Sequence, residues 1–172
     1  MNRYWEDPAY DDVPFPAYDP NVDGSRDQDG YRKNGPVYAY KDGTVQNYTD
    51  DNGGKYAVYT SGNTQVKFPG ATITDFGVKN GAGVTTANGG IHLSLTKNGI
   101  EDMQHEYGHY LQAQQQGTAY YYGVIVPQSL ASAILAPLRH PFFWTEKDAN
   151  TRSAQYFGPD SPIAKSSYYP KN

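Results

Sequence analysis

The stretch IEDMQHEYGHYLQAQQQG, residues 100–117, sets His105 and His109 four positions apart with Glu106 directly after the first histidine. No proline interrupts it, and Gly108 is its sole internal glycine. Ile100, Met103, Tyr107, Tyr110 and Leu111 recur at spacings of three and four, which lays them along one side of a helix of about 3.6 residues per turn. His105, His109 and Gln112 fall on a stripe roughly opposite, and Gly117 is placed to end the helix. One face therefore packs and the other carries chemistry. Two imidazoles one turn apart converge on a point beside the helix, at a separation that a tetrahedral zinc ion accepts from two nitrogens. Glu106 sits on the neighbouring flank, where it reaches a water on such an ion rather than the ion itself. Gly108 leaves room between the histidines for another backbone or for a substrate.

A third ligand must come from elsewhere. The chain has no cysteine, which excludes a disulfide scaffold and any thiolate site and leaves His, Asp and Glu as ligand types. The segment FWTEKDANTRSAQYF, residues 143–157, repeats Glu146, Asn150, Ser153 and Phe157 along one helical face, with Thr145 or Asp148 placed to cap its start. Glu146 completes a His-His-Glu set. Asn150, one turn on, offers an amide oxygen to the free N–H of a ligating imidazole and so fixes its tautomer. A plainer reading makes Glu146 a first-turn acid favourable to the helix dipole and Asn150 a surface polar residue. His140, just before Pro141, and His92, in a strand-like stretch, read as satisfied polar residues, His140 being placed to line a cleft.

The rest of the chain is built around short strands. Eight acids against Arg3 and Arg26 give residues 1–30 a net −6, which leaves +2 for residues 31–172. With Pro8, Pro14, Pro16 and Pro20 among these acids, residues 1–34 read as an acidic arm or linker and residues 35–172 as the folded domain. VYAYKDGTVQNY (37–48) and KYAVYTSGNTQVKF (55–68) read as hairpins turning at Asp-Gly and Ser-Gly-Asn. ATITDFGVK (71–79) and GGIHLSL (89–95) add strands. Residues 118–142 join the two helices through an apolar, Tyr- and Pro-rich connection, read as a cleft wall or as a packed helix from Ser129 to Leu135. The fold class expected is α+β: a small, mainly antiparallel sheet, then the histidine helix, then the glutamate helix. The most apolar run is broken by Pro127 and Pro137, so no membrane span is expected. A net charge of −4 without a basic cluster argues against nucleic acid as a partner. No signal peptide is visible, which fits either a cytoplasmic protein or a module of a larger exported one.

HEYGHYLQ, residues 105–112, resembles the active-site helix of the HExxH zinc metallopeptidases, the zincins. Gln112 and Gln115 stand where metzincins carry glycine and a third histidine, and the Gly-Thr-x-Asp pattern of aspzincins is absent. WTEKDAN, residues 144–150, resembles the glutamate helix of gluzincins. The resemblance covers residues 89–158 and implies a zincin-like fold, a bound Zn2+ held by His105, His109 and Glu146, and peptide-bond hydrolysis with Glu106 as general base and acid. It also implies an oxyanion donor, for which Tyr156, Arg152, His140 and Tyr120 to Tyr122 all qualify, and a peptide substrate held along an edge strand, by position GIHLSL (90–95) with His92. The segment further resembles metallopeptidase-like domains at the C-terminal ends of RHS and other polymorphic toxins, which would make it a secreted effector with an immunity protein as partner. Two other classes stay open: a β-rich binding module with structural zinc, closed by a fourth ligand such as His140, and a zinc hydrolase acting on a non-peptide amide.

Overall fold

Alternating apolar and polar residues fold into two small sheets, described in a computed structural model that covers residues 30–75, 82–94 and 97–172. Strands β1 (Arg32–Ala39), β2 (Thr44–Thr49), β3 (Lys55–Ser61) and β4 (Thr64–Pro69) form an antiparallel meander in chain order. Both expected hairpins are present, turning at Asp42-Gly43 and Gly62-Asn63. Strand β1 takes in Arg32–Asn34, three residues ahead of the expected boundary; they pair with Thr49, Tyr48 and Asn47. Tyr31 meets Tyr56 edge-on at 4.9 Å and Arg32 pairs with Asp51 at 3.2 Å, which anchors this extension. The remainder of the acidic arm lies outside the described residues.

Strands β5 (Thr72–Asp75), β6 (Gly83–Thr85) and β7 (Gly90–Leu93) form a second sheet in the order β5-β7-β6, parallel between β5 and β7 and antiparallel between β6 and β7. The Asn47 side chain bonds the first sheet to the second. Asn47 donates from Nδ2 to the Ile73 carbonyl and accepts from the Ile73 N–H, both at 2.8 Å, so its amide stands in for a strand partner inside the core. GIHLSL was expected at a sheet edge, but β7 is paired on both sides. The edges are β5 and β6, because the chain passes through β6 before returning as the central strand.

Helix α1 (Ile100–Gln116) lies across this layer. The Asp102 carboxylate accepts the Gly99 N–H at 2.8 Å, and Asp42 from the first hairpin accepts the Ile100 N–H at 3.2 Å, which satisfies two donors at the helix start. Met103, Tyr107 and Leu111 are buried against Tyr59, Phe68, Ile73, Ile91 and Leu93, while Ile100 and Tyr110 pack at the margin. This is the apolar stripe expected from spacing, and each fully buried side chain of this kind contributes roughly 1.5–3 kcal/mol.

The opposite face of α1 meets α4 (Trp144–Phe157). A Cβ at Gly108 would lie 2.2 Å from the Ala149 carbonyl oxygen, so the absent side chain admits another backbone. That close approach brings the polar face of α4 onto the histidine stripe. Neither Thr145 nor Asp148 caps α4: its N-cap position is Phe143, and both side chains are engaged elsewhere.

Between the helices, α2 (Thr118–Tyr120), a π-helical turn (Tyr121–Ile125) and α3 (Val126–Leu135) run on continuously, followed by a 3-10 turn (His140–Phe142). Tyr121 and Ile125 anchor the segment against Ala87 and Ala113. Helix α3 exists as expected and begins three residues earlier, but no residue of it is buried, so it is not part of the core. The short α5 (Pro162–Lys165) closes over α1 and α4. No helix among the described residues is long and apolar enough to cross a membrane.

Candidate metal centre

His105 and His109 project from α1 toward Glu146 in the first turn of α4. The Glu146 Oε2 atom is 3.4 Å from His105 Nε2 and 3.2 Å from His109 Nε2. Ligand atoms of the three residues all lie within 4.8 Å of one another. Bonds of about 2.0–2.1 Å to a tetrahedral ion separate adjacent ligand atoms by about 3.4 Å. The two His–Glu distances already have that spacing.

The outward nitrogens decide whether the inward ones can ligate. His105 Nδ1 is 2.7 Å from Asn150 Oδ1, and His109 Nδ1 is 2.7 Å from Gln112 Oε1. An amide oxygen only accepts, so each Nδ1 carries a proton, and it is the Nε2 side of each ring, facing Glu146, that an ion would take. Both amides are held in this orientation by acceptors behind them. Gln112 Nε2 donates to the Thr145 carbonyl and to Asp148 Oδ2, each at 2.8 Å, and Asn150 Nδ2 donates to the Pro170 carbonyl at 2.9 Å. Asp148 is in turn fixed by Arg152 Nε at 2.7 Å.

Burial alone would favour the neutral forms of His109 and Glu146. In His109 the Glu146 charge and hydrogen bond, aided by the Glu106 charge, outweigh it and push the imidazole up to about 9. In Glu146 burial is likewise outweighed, by the His109 charge and by hydrogen bonds from both histidines, and the carboxyl is held far below the usual carboxylate range. The His109 Nε2–Glu146 Oε2 contact of 3.2 Å is thus strengthened by charge on both sides.

Glu106 is buried, and its Oε2 accepts from the Thr85 hydroxyl at 2.6 Å. A Cβ at Gly83 would lie 2.2 Å from its Oε1. Edge strand β6 thus both orients the carboxylate and makes room for it. Thr85 is held in place by the Tyr121 hydroxyl, which donates to its carbonyl at 2.9 Å.

The other residues singled out by sequence are dispersed. His140 Nε2 comes within 3.7 Å of Glu146 Oε2 but stands outside the mutually close ligand group. The Ser132 hydroxyl spends its proton on the Ser129 carbonyl at 2.8 Å and so accepts from His140 Nδ1 at 2.7 Å. A neutral His140 therefore faces the cluster with a lone pair, and donates there only as an imidazolium. Arg152 belongs to the Asp148–Gln112 chain behind His109. Tyr156 packs against Tyr107 and Phe157 on the core side of α1. His92 Nδ1 bonds to the Thr74 hydroxyl at 2.8 Å within the second sheet. Of the three consecutive tyrosines, Tyr121 supports Thr85, Tyr122 accepts the Ala87 N–H at 3.1 Å, and Tyr120 is exposed.

Gln112, Thr85 and Gly83 were missed as supporting residues. Gln112 was recoverable, since it shares the histidine stripe three positions after His109. The link from β6 to Glu106 spans 21 positions and leaves no local signal. Compared with protein-family models, curated proteins and solved structures, the chain matches none of them.

Proposed function

We propose that this chain is a zinc-dependent peptidase of zincin-like fold in which His105, His109 and Glu146 hold the ion and Glu106 moves the proton. The observation that carries the reading is the pair of amide oxygens holding the outer nitrogens of two histidines whose inner nitrogens meet one buried carboxylate. An ordinary His-Glu ion pair needs one imidazole and no control of tautomer. When bound, zinc supplies Lewis acidity toward a water and toward the scissile carbonyl. Glu106 follows His105 on α1 and is aimed by Thr85. It accepts the water proton and returns it to the departing amine.

Strand β6 is the peptide-binding edge in this reading. It carries Thr85, its Val84 is exposed, and a substrate strand added there passes beside Glu106. His140, 3.7 Å from Glu146 Oε2, is the oxyanion donor in this reading, in its imidazolium form. The resemblance of residues 89–158 to polymorphic-toxin domains extends the proposal to delivery as a toxin domain with a cognate immunity protein.

The test is digestion of a peptide library by zinc-loaded protein, wild type against Glu106→Gln. Cleavage should fall at least about a hundredfold in the variant. Its zinc content should not change. Equal cleavage by both proteins, or loss of zinc with the substitution, would remove Glu106 from the proposed role. Cleavage of non-peptide amides alone would favour the amide-hydrolase alternative.

A further inference from the structure

The segment Ser166–Asn172, after α5, crosses the junction of α1 and α4. Ser166 Oγ donates to Glu101 Oε2 at 2.8 Å, the Tyr169 hydroxyl donates to Asp102, and the Asn172 N–H donates to Thr151 Oγ1 at 2.9 Å. It is therefore tied to the start of α1 and to the middle of α4. Tyr169 is buried, and its ring stacks on His105 with centroids 4.7 Å apart and planes 22° from parallel. The next residue supplies the carbonyl that accepts from Asn150 Nδ2.

We propose that this segment is a positioning strap that decides which nitrogen of His105 carries the proton. An amide can turn over, exchanging its oxygen and nitrogen at little intrinsic cost. With Nδ2 toward His105, the ring would have to accept at Nδ1, its proton would move to Nε2, and the lone pair facing Glu146 would be lost. The Pro170 carbonyl offers only an acceptor and so forbids that orientation. Tyr169 holds the carbonyl in place and clamps the ring it controls. His109 has no such dependence, because Gln112 is oriented from within the α1–α4 pair. The strap's purpose rests on the metal reading above; its effect on the tautomer does not.

The test is a double-mutant cycle of Tyr169→Ala and Asn150→Asp in the full chain. A carboxylate accepts with either oxygen, so Asn150→Asp makes the His105 tautomer independent of Pro170. Zinc affinity, measured by chelator competition, should fall roughly tenfold or more for Tyr169→Ala and clearly less when Asn150→Asp is also present. Equal losses in both backgrounds would show that Tyr169 serves as packing alone, and no loss in either would show that the strap is inert; each overturns the proposal. Nitrogen-15 spectra of metal-free protein in alkaline solution provide the second readout. Wild type should show His105 protonated at Nδ1, and Tyr169→Ala should show both tautomers. A wild-type ring protonated at Nε2 would overturn the strap whatever the zinc result, whereas failure of wild type to bind zinc with the expected tautomer present would defeat the metal reading alone.

Discussion

The seam between α1 and α4 and the surface of α3 invert the ordinary partition of side chains. In the seam, Gln112, Glu146 and Asn150 are 2% exposed or less. On and just after α3, Ile134, Leu135 and Leu138 are 69%, 83% and 92% exposed. Buried polar groups cost about 1–3 kcal/mol each when left without a partner, and an apolar seam would avoid the risk. Here the Gln112 and Asn150 amides are matched to acceptors and donors in a fixed direction, and those directions converge on the two histidines beside Glu146. A seam of leucines would leave no such directed groups beside Glu146. The apolar surface, by contrast, touches the cluster through Ser132 and His140.

The largest expected effect separating the two regions is on pH. His109 stands at about 9 against an ordinary 6.5, so below about 9 an incoming ion must displace its proton. Zinc affinity should rise about tenfold per pH unit between those values and then level off, with calorimetry in buffers of different ionisation enthalpy counting the released proton. The sign for the metal-free fold is opposite: stability from the raised imidazole is complete below 6.5 and is lost as pH rises through 9. A flat zinc profile would mean that the seam holds a neutral imidazole. Next comes Gln112→Leu, which removes the acceptor at His109 Nδ1 and should weaken zinc binding roughly 10- to 100-fold by chelator competition. Smallest is Leu135→Ser with Leu138→Ser, expected to leave unfolding free energy within about 0.5 kcal/mol. A larger loss would show that the ridge is covered in solution and dissolve the contrast.

Periodicity was sufficient for the elements and insufficient for their neighbours. Spacing alone placed Met103, Tyr107 and Leu111 on the packed face of α1 and the histidines opposite, and turn residues located both hairpins. The same local signals do not give strand order: it was the resemblance that put β7 at an edge, and order depends on which segments pair and not on where each begins. Local signals allowed α3 a place in the core, since its apolar residues look alike whether packed or exposed. Asn150 was legible because one helical turn relates it to Glu146. Thr85, Gly83, Tyr169 and Pro170 were not, because each reaches the cluster across a long chain separation through one side chain, one missing side chain or one carbonyl.

The central claim is tested most directly by anomalous diffraction at the zinc edge from crystals of zinc-loaded protein. The expected result is one ion about 2.0–2.2 Å from His105 Nε2, His109 Nε2 and a Glu146 oxygen, with no fourth side chain bound. An ion closed off by His140, or zinc found only away from these three residues, would contradict it.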